Sequence, residues 1–307
     1  MAPSDLPHPL VPFRGVFPEP ISQGAADGMG PWSGPARALI AAGIVPPDVL
    51  TGMTLHLLAT QPRRPSRGGA RPKGAIEGGV WVREQVTYHA PMRIGEEIEI
   101  RGEAVQRYSL RGRRYGVNRS ETRGADGRLL VTSVTTGLLQ YRKEPGLADA
   151  VEGTEVHAPA ADAEAAAGNP SLQRLAAVRV GDVVAGDEAL VTLEMMRARD
   201  AHRDDNPIHT DPAVAAREGL AAPIAGGSHV LAFLQAALMA EWGGEALLHG
   251  AHFDVRWKGQ THAGTTVRPR ATVRRMDPAI ELDLEIEGPE RTALTGRAVV
   301  PLGTDAS

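Results

Sequence analysis

Apolar and polar residues alternate over several stretches of the chain, and β-branched residues are frequent in them. A two-residue period is typical of a strand that has one buried face. Turn signals such as Ala125-Asp126-Gly127 separate the stretches. The pattern predicts an antiparallel sheet in each half of the chain, with strands at 97–107, 129–141, 265–275, 280–287 and 293–300.

Residues 228–242 have a helical pattern instead, and they read SHVLAFLQAALMAEW. Apolar residues lie on nearly every face, which indicates a helix that is buried all round. The segment is shorter than the roughly 17–25 residues of a membrane-spanning helix. Ser228 is a candidate N-cap, and Gly243-Gly244 is a candidate C-terminal stop. We therefore predict an α+β fold in which an antiparallel sheet encloses this helix. Weaker helix patterns cover 33–43 and 47–59.

The two halves of the chain have similar sequences around one turn. Residues 86–98 can be laid over 255–267, and both read as strand, turn and strand, with Gly95 and Gly264 in the turns. Between the halves, 143–170 is rich in Ala, Gly, Asp and Glu and has no aliphatic periodicity, as expected of a linker. We predict an internal duplication, with domains at 1–142 and 171–307 and the linker at 143–170.

Composition excludes several classes of protein. The 307 residues include 42% hydrophobic and 23% charged residues, so a normal core can be buried. A net charge of -4 argues against a protein that binds nucleic acid. The absence of cysteine excludes disulfides and thiolate metal sites. The first residues have neither a basic nor an apolar region and no apolar run is long enough to span a membrane, so we expect no signal peptide and a cytoplasmic protein.

One eight-residue motif combines an acid and an imidazole, and it reads HRDDNPIH over 202–209. Asp204 and His209 flank an Asn206-Pro207 corner, where the proline fixes its own φ and restricts the residue before it. Their side chains can converge while their backbones stay apart. Such a pair, acting on one water molecule, suits the hydration of an activated double bond or the reverse reaction.

The buried helix supplies a second chemical element. Hydration of this kind needs a substrate that is acidic at Cα, such as a thioester, whose developing enolate oxygen must be stabilised. Backbone N–H groups at the start of a helix suit that task. Gly226 and Gly227 stand immediately before the predicted helix, and they are candidates for this position.

Simpler interpretations of these residues remain open. The Asp-x-Asn-Pro sequence is also a common helix boundary, His209 could be a core histidine, and the glycines could form only a turn. Asp204 could lie inside the site with Asp205 outside, or both could be solvated. The spacing of His202, Asp204, Asp205 and His209 matches no established metal motif, so we predict neither a metal nor another cofactor.

Together, 204–212 and 219–227 resemble the MaoC-like R-specific enoyl-CoA hydratases and 3-hydroxyacyl-thioester dehydratases. That family carries Gly-Asp-x-Asn-Pro-hydrophobic-His followed by a Pro-Ile-Ala-His-Gly run. The resemblance implies a double hot-dog fold, in which each half is a curved antiparallel sheet wrapped round a central helix. The second half would be catalytic and the first half degenerate, because the first half lacks the motif. The implied reaction is the reversible addition of water to a trans-2-enoyl thioester, which gives a 3R-hydroxyacyl thioester.

The resemblance also implies residue roles. Asp204 and His209 correspond to the pair that positions and deprotonates water, Asn206 to the residue that supports the pair, and Gly227 to the backbone donor for the thioester oxygen. His202 and Arg203 replace the family's Ser-Gly, and Gly226 replaces its histidine. Arg203 is long enough to narrow the site or to reach a carboxylate or phosphate. We therefore treat these three replaced positions as substrate-binding candidates.

A coenzyme A or acyl-carrier-protein thioester brings phosphates to the site. Arg64 and Arg67, in a basic Pro- and Gly-rich segment, are candidates to bind them, although a solvated loop is the simpler interpretation. The chain could be a monomer of two hot-dogs or a homodimer. Two other functions are compatible with the fold: an acyl thioesterase, and a noncatalytic subunit that binds acyl thioesters. The intact Asp204 and His209 favour the hydratase over both.

Overall fold

The structure is a computed structural model that describes residues 5–61, 80–139, 143–160, 163–166, 168–201 and 206–302. The first half contains β1 (His8–Pro9), β2 (Phe13–Val16), α1 (Glu19–Asp27), α2 (Gly34–Ala41), α3 (Pro47–Leu50), α4 (Met53–Ala59), β3 (Val80–Tyr88), β4 (Glu97–Leu110), β5 (Arg113–Gly124) and β6 (Leu129–Leu138). The rest contains β7 (Ala150–Gly153), α5 (Leu172–Ala176), β8 (Val183–Ala185), β9 (Ala189–Val191), α6 (Leu193–Arg199), α7 (Pro212–Arg217), α8 (Gly227–Trp242), β10 (His252–Trp257), β11 (Thr265–Arg275), β12 (Ala279–Glu287) and β13 (Thr292–Pro301).

The strands form one antiparallel sheet to which both halves contribute. Its order is β1-β4-β5-β6-β3-β10-β13-β12-β11-β8, and β3 pairs with β10 where the halves meet. The glycines of the two predicted turns, Gly95 and Gly264, have φ of 81° and 86°, a conformation that glycine adopts without strain. Each leads into a long strand, β4 or β11. The predicted α+β architecture of antiparallel strands and central helices is confirmed.

Helix α8 is the central element of the second half. Most of its side chains are buried, as its apolar sequence predicts. It begins at Gly227 with Gly226 as N-cap, so the prediction of Ser228 as N-cap is wrong. The extended backbone of Gly226 (φ -61°, ψ 151°) already turns the chain into the helix, which places Ser228 one position inside it. Gly243, with φ of 110°, ends the helix where the sequence predicts.

The helix predicted over 47–59 is interrupted. It divides into α3 and α4 at Thr51 and Gly52. The Thr51 hydroxyl lies 3.0 Å from the Pro47 carbonyl oxygen and 2.7 Å from the Tyr88 hydroxyl, which anchors the break to β3. Glycine also lowers helix propensity at this point. The short α4 then packs on β4, β5 and β6.

The segment predicted as a linker lies against the sheet. Within it, β7 pairs with the edge of β4. The Thr87 hydroxyl donates to the Pro159 carbonyl at 2.6 Å, and the Ala158 N–H donates to the side-chain oxygen of Gln85 at 3.2 Å. The connection is therefore packed and hydrogen-bonded where it is described. The division at 143–170 stays a prediction.

A buried carboxyl group lies on the inner face of the first-half sheet. Glu84 has no exposed surface, and it stands opposite Thr135 in the pairing of β3 with β6. Burial raises the pKa of Glu84 to about 8, and the neighbouring hydroxyls of Thr135 and Ser133 offset only part of that shift. The carboxyl group is therefore protonated at neutral pH.

We predict that Glu84→Gln stabilises the protein increasingly as pH rises. The pKa of Glu84 in the folded state is above the unfolded value of 4.5. Between these two pH values the native state binds more protons than the unfolded state, so the stability of the wild-type protein falls as pH rises across the interval. Glutamine has nearly the same shape and does not ionise. The stability advantage of the variant should grow by up to about 3 kcal/mol between pH 5 and 8. Urea unfolding at several pH values measures it, and parallel pH profiles for the two proteins would contradict it.

Candidate active site

The segment after Asn206 is held in place by its own backbone and by a buried side chain. Pro207–His209 forms one turn of 3-10 helix, and Ile208 is fully buried beneath it. Asp211 then caps α7, because its carboxylate accepts hydrogen bonds from the N–H groups of Ala213 and Val214 at 2.7 and 3.3 Å. This local structure fixes the direction in which the His209 side chain leaves the chain.

Hydrogen bonds determine the tautomer of His209. Its Nδ1 lies 2.6 Å from the Ile224 carbonyl oxygen, and since a carbonyl only accepts, Nδ1 carries the hydrogen. The side-chain nitrogen of Asn206 lies 3.0 Å from Nε2, to which it donates. In the neutral ring Nε2 therefore holds the lone pair. The arrangement provides an oriented base.

The backbone that receives His209 is fixed by its neighbours. The Ala225 N–H donates to the Thr261 carbonyl at 2.8 Å, and the Ala263 N–H donates to the Pro223 carbonyl at 2.9 Å. These bonds attach the segment before α8 to the chain between β10 and β11. Because Ile224 belongs to this segment, His209 and the start of α8 are held in one rigid arrangement.

A cavity of about 110 Å³ connects His209 with the start of α8. Asn206, His209, Gly226 and Gly227 all line it, so the structure brings these four predicted residues together. Leu55, Val80 and Trp81 of the first half also line the cavity. The other predicted site residues, Asp204, His202, Arg203, Arg64 and Arg67, lie outside the described residues.

The two glycines have different surroundings. A Cβ atom on Gly226 would lie 3.9 Å from His209 Nε2, which is an ordinary contact. A Cβ atom on Gly227 would lie 2.9 Å from the ring of Trp81, closer than real Cβ atoms tolerate, and 3.0 Å from that of Trp257, which is tighter than most real Cβ contacts. Gly227 is also the first residue of α8, where backbone N–H groups have no acceptor within the helix. The helix dipole favours negative charge at this point.

Sequence reasoning missed a buried ion pair beside the cavity. Arg199, at the end of α6, donates to the Asp48 carboxylate of α3 at 2.7 Å and to the Ser228 hydroxyl at 3.3 Å. The side chains are only 8% and 4% exposed. Arg199 lines the cavity, as does the half-buried Asp200. No sequence signal relates Arg199 to Asp48.

His229, in the first turn of α8, is not a proton carrier. Burial lowers its pKa to about 3, and the charge of Arg199 adds to that effect. Its Nε2 lies 2.8 Å from the Gly28 carbonyl oxygen, to which it donates. The imidazole is therefore neutral and serves to attach α8 to the first half of the chain.

Known proteins provide an independent comparison. Residues 177–286 match the model of the MaoC like domain. A solved structure named MaoC-like dehydratase is 15% identical, with a TM-score of 0.71 over 97% of this chain and 98% of the other. A MaoC-like dehydratase from Phytophthora capsici is 13% identical, with a TM-score of 0.67 over 98% and 97% of the chains.

A Mycobacterium tuberculosis protein described as having a double hotdog fold is 15% identical, with a TM-score of 0.60 over 97% of this chain and 94% of the other. The search of curated proteins finds no match. The chain thus has the double hot-dog fold. The match of residues 177–286 to the MaoC like domain confirms the resemblance identified from the motif. Among the described residues, no helix is long and apolar enough to cross a membrane.

We predict that Gly227→Ala destabilises the protein and lowers its activity, because the added methyl group must displace two indole rings. Overpacking of this kind costs about 1–3 kcal/mol. Gly226→Ala is the matched control for stability, since its methyl group meets only His209 at an ordinary distance. Its effect should stay within about 0.5 kcal/mol. Thermal unfolding compares the two variants, and equal destabilisation would contradict the crowding at Gly227.

We predict that Asp48→Asn destabilises the protein by about 3–5 kcal/mol, because it leaves the Arg199 guanidinium buried without a counter-charge. The double variant Asp48→Asn/Arg199→Met removes both charges and should recover part of the loss. Denaturant unfolding of the two single variants and the double variant measures the coupling. Additive losses would show that the two side chains do not act as a pair.

Proposed function

We propose that the protein catalyses the reversible addition of water to a trans-2-enoyl thioester, which gives a 3R-hydroxyacyl thioester. One observation carries the proposal: a cavity lined by His209, with an oriented Nε2 lone pair, and by the first residue of a buried helix, Gly227. A base and an anion-stabilising backbone donor on one cavity are what hydration of an enoyl thioester requires.

In the hydration direction, His209 Nε2 and Asp204 act on one water molecule. The role of Asp204 rests on the motif, and that of His209 on the motif and its geometry. One group of the pair takes a proton from water, the water oxygen bonds to C3, and the other group supplies a proton to C2. Electron density moves to the thioester oxygen, where the Gly227 N–H can stabilise it. Dehydration is the same sequence reversed.

Asn206 has a supporting role in this mechanism. Its amide donates to His209 Nε2 at 3.0 Å. A water molecule that binds to Nε2 would share or replace that hydrogen bond. Because Nδ1 is held by the Ile224 carbonyl, the ring keeps its orientation while the partner of Nε2 changes. The same carbonyl stabilises the protonated ring that forms when His209 takes a proton.

The substrate would be a coenzyme A or acyl-carrier-protein thioester. Leu55, Val80 and Trp81 extend the cavity wall from the first half, so the acyl group would contact both halves. His202, Arg203 and Gly226, where the family pattern changes, are the proposed positions of substrate preference. Arg64 and Arg67 are proposed contacts for the substrate's phosphates.

We predict that Asp204→Asn and His209→Gln each lower the hydration rate by roughly 10²–10⁴-fold, the usual contribution of general acid–base catalysis. Purified protein is mixed with trans-2-enoyl-CoAs of rising chain length, and loss of the enoyl-thioester absorbance is followed. Asp205→Asn and His249→Gln are matched controls that make the same substitutions outside the proposed pair. His249 lies beside Glu245 at the far end of α8. Both controls should keep the wild-type rate.

Release of free coenzyme A is measured in the same samples. Release from saturated and enoyl substrates without hydration would identify a thioesterase instead. Turnover that is unchanged in both Asp204→Asn and His209→Gln would contradict the proposed site. Thioester binding without any reaction would indicate a noncatalytic binding subunit.

A further inference from the structure

Two indole rings contact the glycine at the start of α8 through different edges. A Cβ atom on Gly227 would lie 3.0 Å from Cε2 and Cζ2 of Trp257, and 2.9 Å from Cε3 of Trp81. Both rings line the same cavity as His209. Each tryptophan therefore lies next to the backbone group proposed to hold the thioester oxygen.

The contacting edge of Trp257 is the one that carries its ring N–H. Cε2 is bonded directly to Nε1, so this N–H belongs to the side of the ring that meets Gly227. The contacting atom of Trp81, Cε3, lies on the far side of its indole from Nε1. The two rings thus differ in what they can offer to a ligand atom beside Gly227.

The ring nitrogens of Trp257 and Trp81 are both buried, and among the described residues neither has a hydrogen-bond acceptor. Only that of Trp257 belongs to the ring edge that contacts Gly227. Buried polar groups in proteins are nearly always paired, because leaving a donor unpaired costs stability. An indole N–H only donates, so its partner must be an acceptor. Beside Gly227, the acceptor required by the proposed reaction is the thioester oxygen.

We propose that the Trp257 N–H is a second donor to the thioester oxygen, beside the backbone N–H of Gly227. This assignment rests on the proposed function. The thioester oxygen gains negative charge as the C3–O bond forms, so both hydrogen bonds strengthen in the transition state. No proton is transferred from the ring, and the donor is present at every pH at which the protein is folded.

The position of the ring suits that role. Trp257 is the last residue of β10, and its ring packs against that of Trp81 with centroids 5.6 Å apart and planes at 50°. A donor held by a strand and by a second aromatic ring needs little reorganisation when charge develops. The second donor would therefore come from the sheet, while the first comes from the helix.

The first test compares Trp257→Phe with Trp81→Phe. Both variants keep an aromatic ring against Gly227, but only Trp257→Phe removes an N–H from the contacting edge. We expect Trp257→Phe to lower kcat and kcat/KM together, by roughly 10–100-fold, as for loss of an oxyanion donor. Affinity for saturated butyryl-CoA should change by less than about twofold, because the ground-state oxygen carries little charge. The loss of kcat in Trp81→Phe should be roughly tenfold smaller than the loss in Trp257→Phe.

Equal losses of kcat in the two variants would overturn the assignment, as would a rise of KM alone in Trp257→Phe. The shape of the pH–rate profile should not change in Trp257→Phe, whereas misplacement of His209 would shift it. If the wild-type protein hydrates no enoyl thioester, the proposed function fails and this assignment fails with it. If instead the wild-type protein is active and the two variants cannot be distinguished, only the Trp257 assignment is refuted.

A second measurement uses the wild-type protein, so it does not depend on the folding of a variant. The chain has four tryptophans, whose ring N–H signals can be observed after ¹⁵N labelling. Single substitutions of the other three assign the Trp257 signal. Saturation with acetoacetyl-CoA, whose enolate resembles the developing charge, should move the Trp257 signal downfield and the Trp81 signal less. A Trp257 signal that stays in place at saturation would overturn the assignment.

Discussion

The pairing of β3 with β10 is the constraint on which the candidate site depends. Five residues of each strand are in register, from Thr87 opposite His252 to Arg83 opposite Arg256. A charge-assisted, two-point interaction crosses the seam, because Arg83 donates to both oxygens of Asp254 at 2.9 and 2.7 Å. The register places the start of β3 beside the end of β10. A one-residue slip would turn each side chain to the opposite face and remove the aromatic pair from the helix start.

Charge at the start of α8 is balanced by groups from both halves. The helix N-terminus has partial positive character, and the Arg199 guanidinium lies beside its Ser228 hydroxyl. Two positive groups in a buried region would repel each other, and Asp48 of the first half supplies the compensating carboxylate. His229 stays neutral because burial lowers its pKa. The region therefore keeps hydrogen-bond donors directed at the cavity without accumulating uncompensated charge.

Sequence could predict the parts of this structure that depend on local pattern. The strands after Gly95 and Gly264 follow from alternation and turn chemistry, and α8 follows from its continuous apolar surface. The motif also brought His209 and Gly227 to one site, because a short, proline-restricted segment limits where its residues can lie. The N-cap of α8 was misplaced by two residues because serine is a strong N-cap, whereas here the backbone of Gly226 takes that position.

Long-range partners could not be predicted in the same way. Asp48 and Arg199 are 151 positions apart, and neither stands in a motif. No pattern in the sequence distinguishes Trp257 from an ordinary core aromatic residue. Its N–H acquires significance only when the fold places it against Gly227 from one side and Trp81 from the other. Which edge of a ring faces a backbone atom depends on packing between elements, and no periodicity in the sequence encodes it.

The first half lacks the motif, yet the second half depends on it physically. Tyr88 accepts a hydrogen bond from Gln235, which is buried in the middle of α8, and Trp32 packs edge-on against Phe233 two residues earlier. Without the first half, the parts of this almost wholly apolar helix that carry Gln235 and Phe233 would contact water, and β10 would become an unpaired edge strand. The site itself would lose Trp81 and the carboxylate that balances Arg199. A half that lacks the motif is therefore still required by the half that carries it, because it completes the core, the sheet and the charge balance of the other.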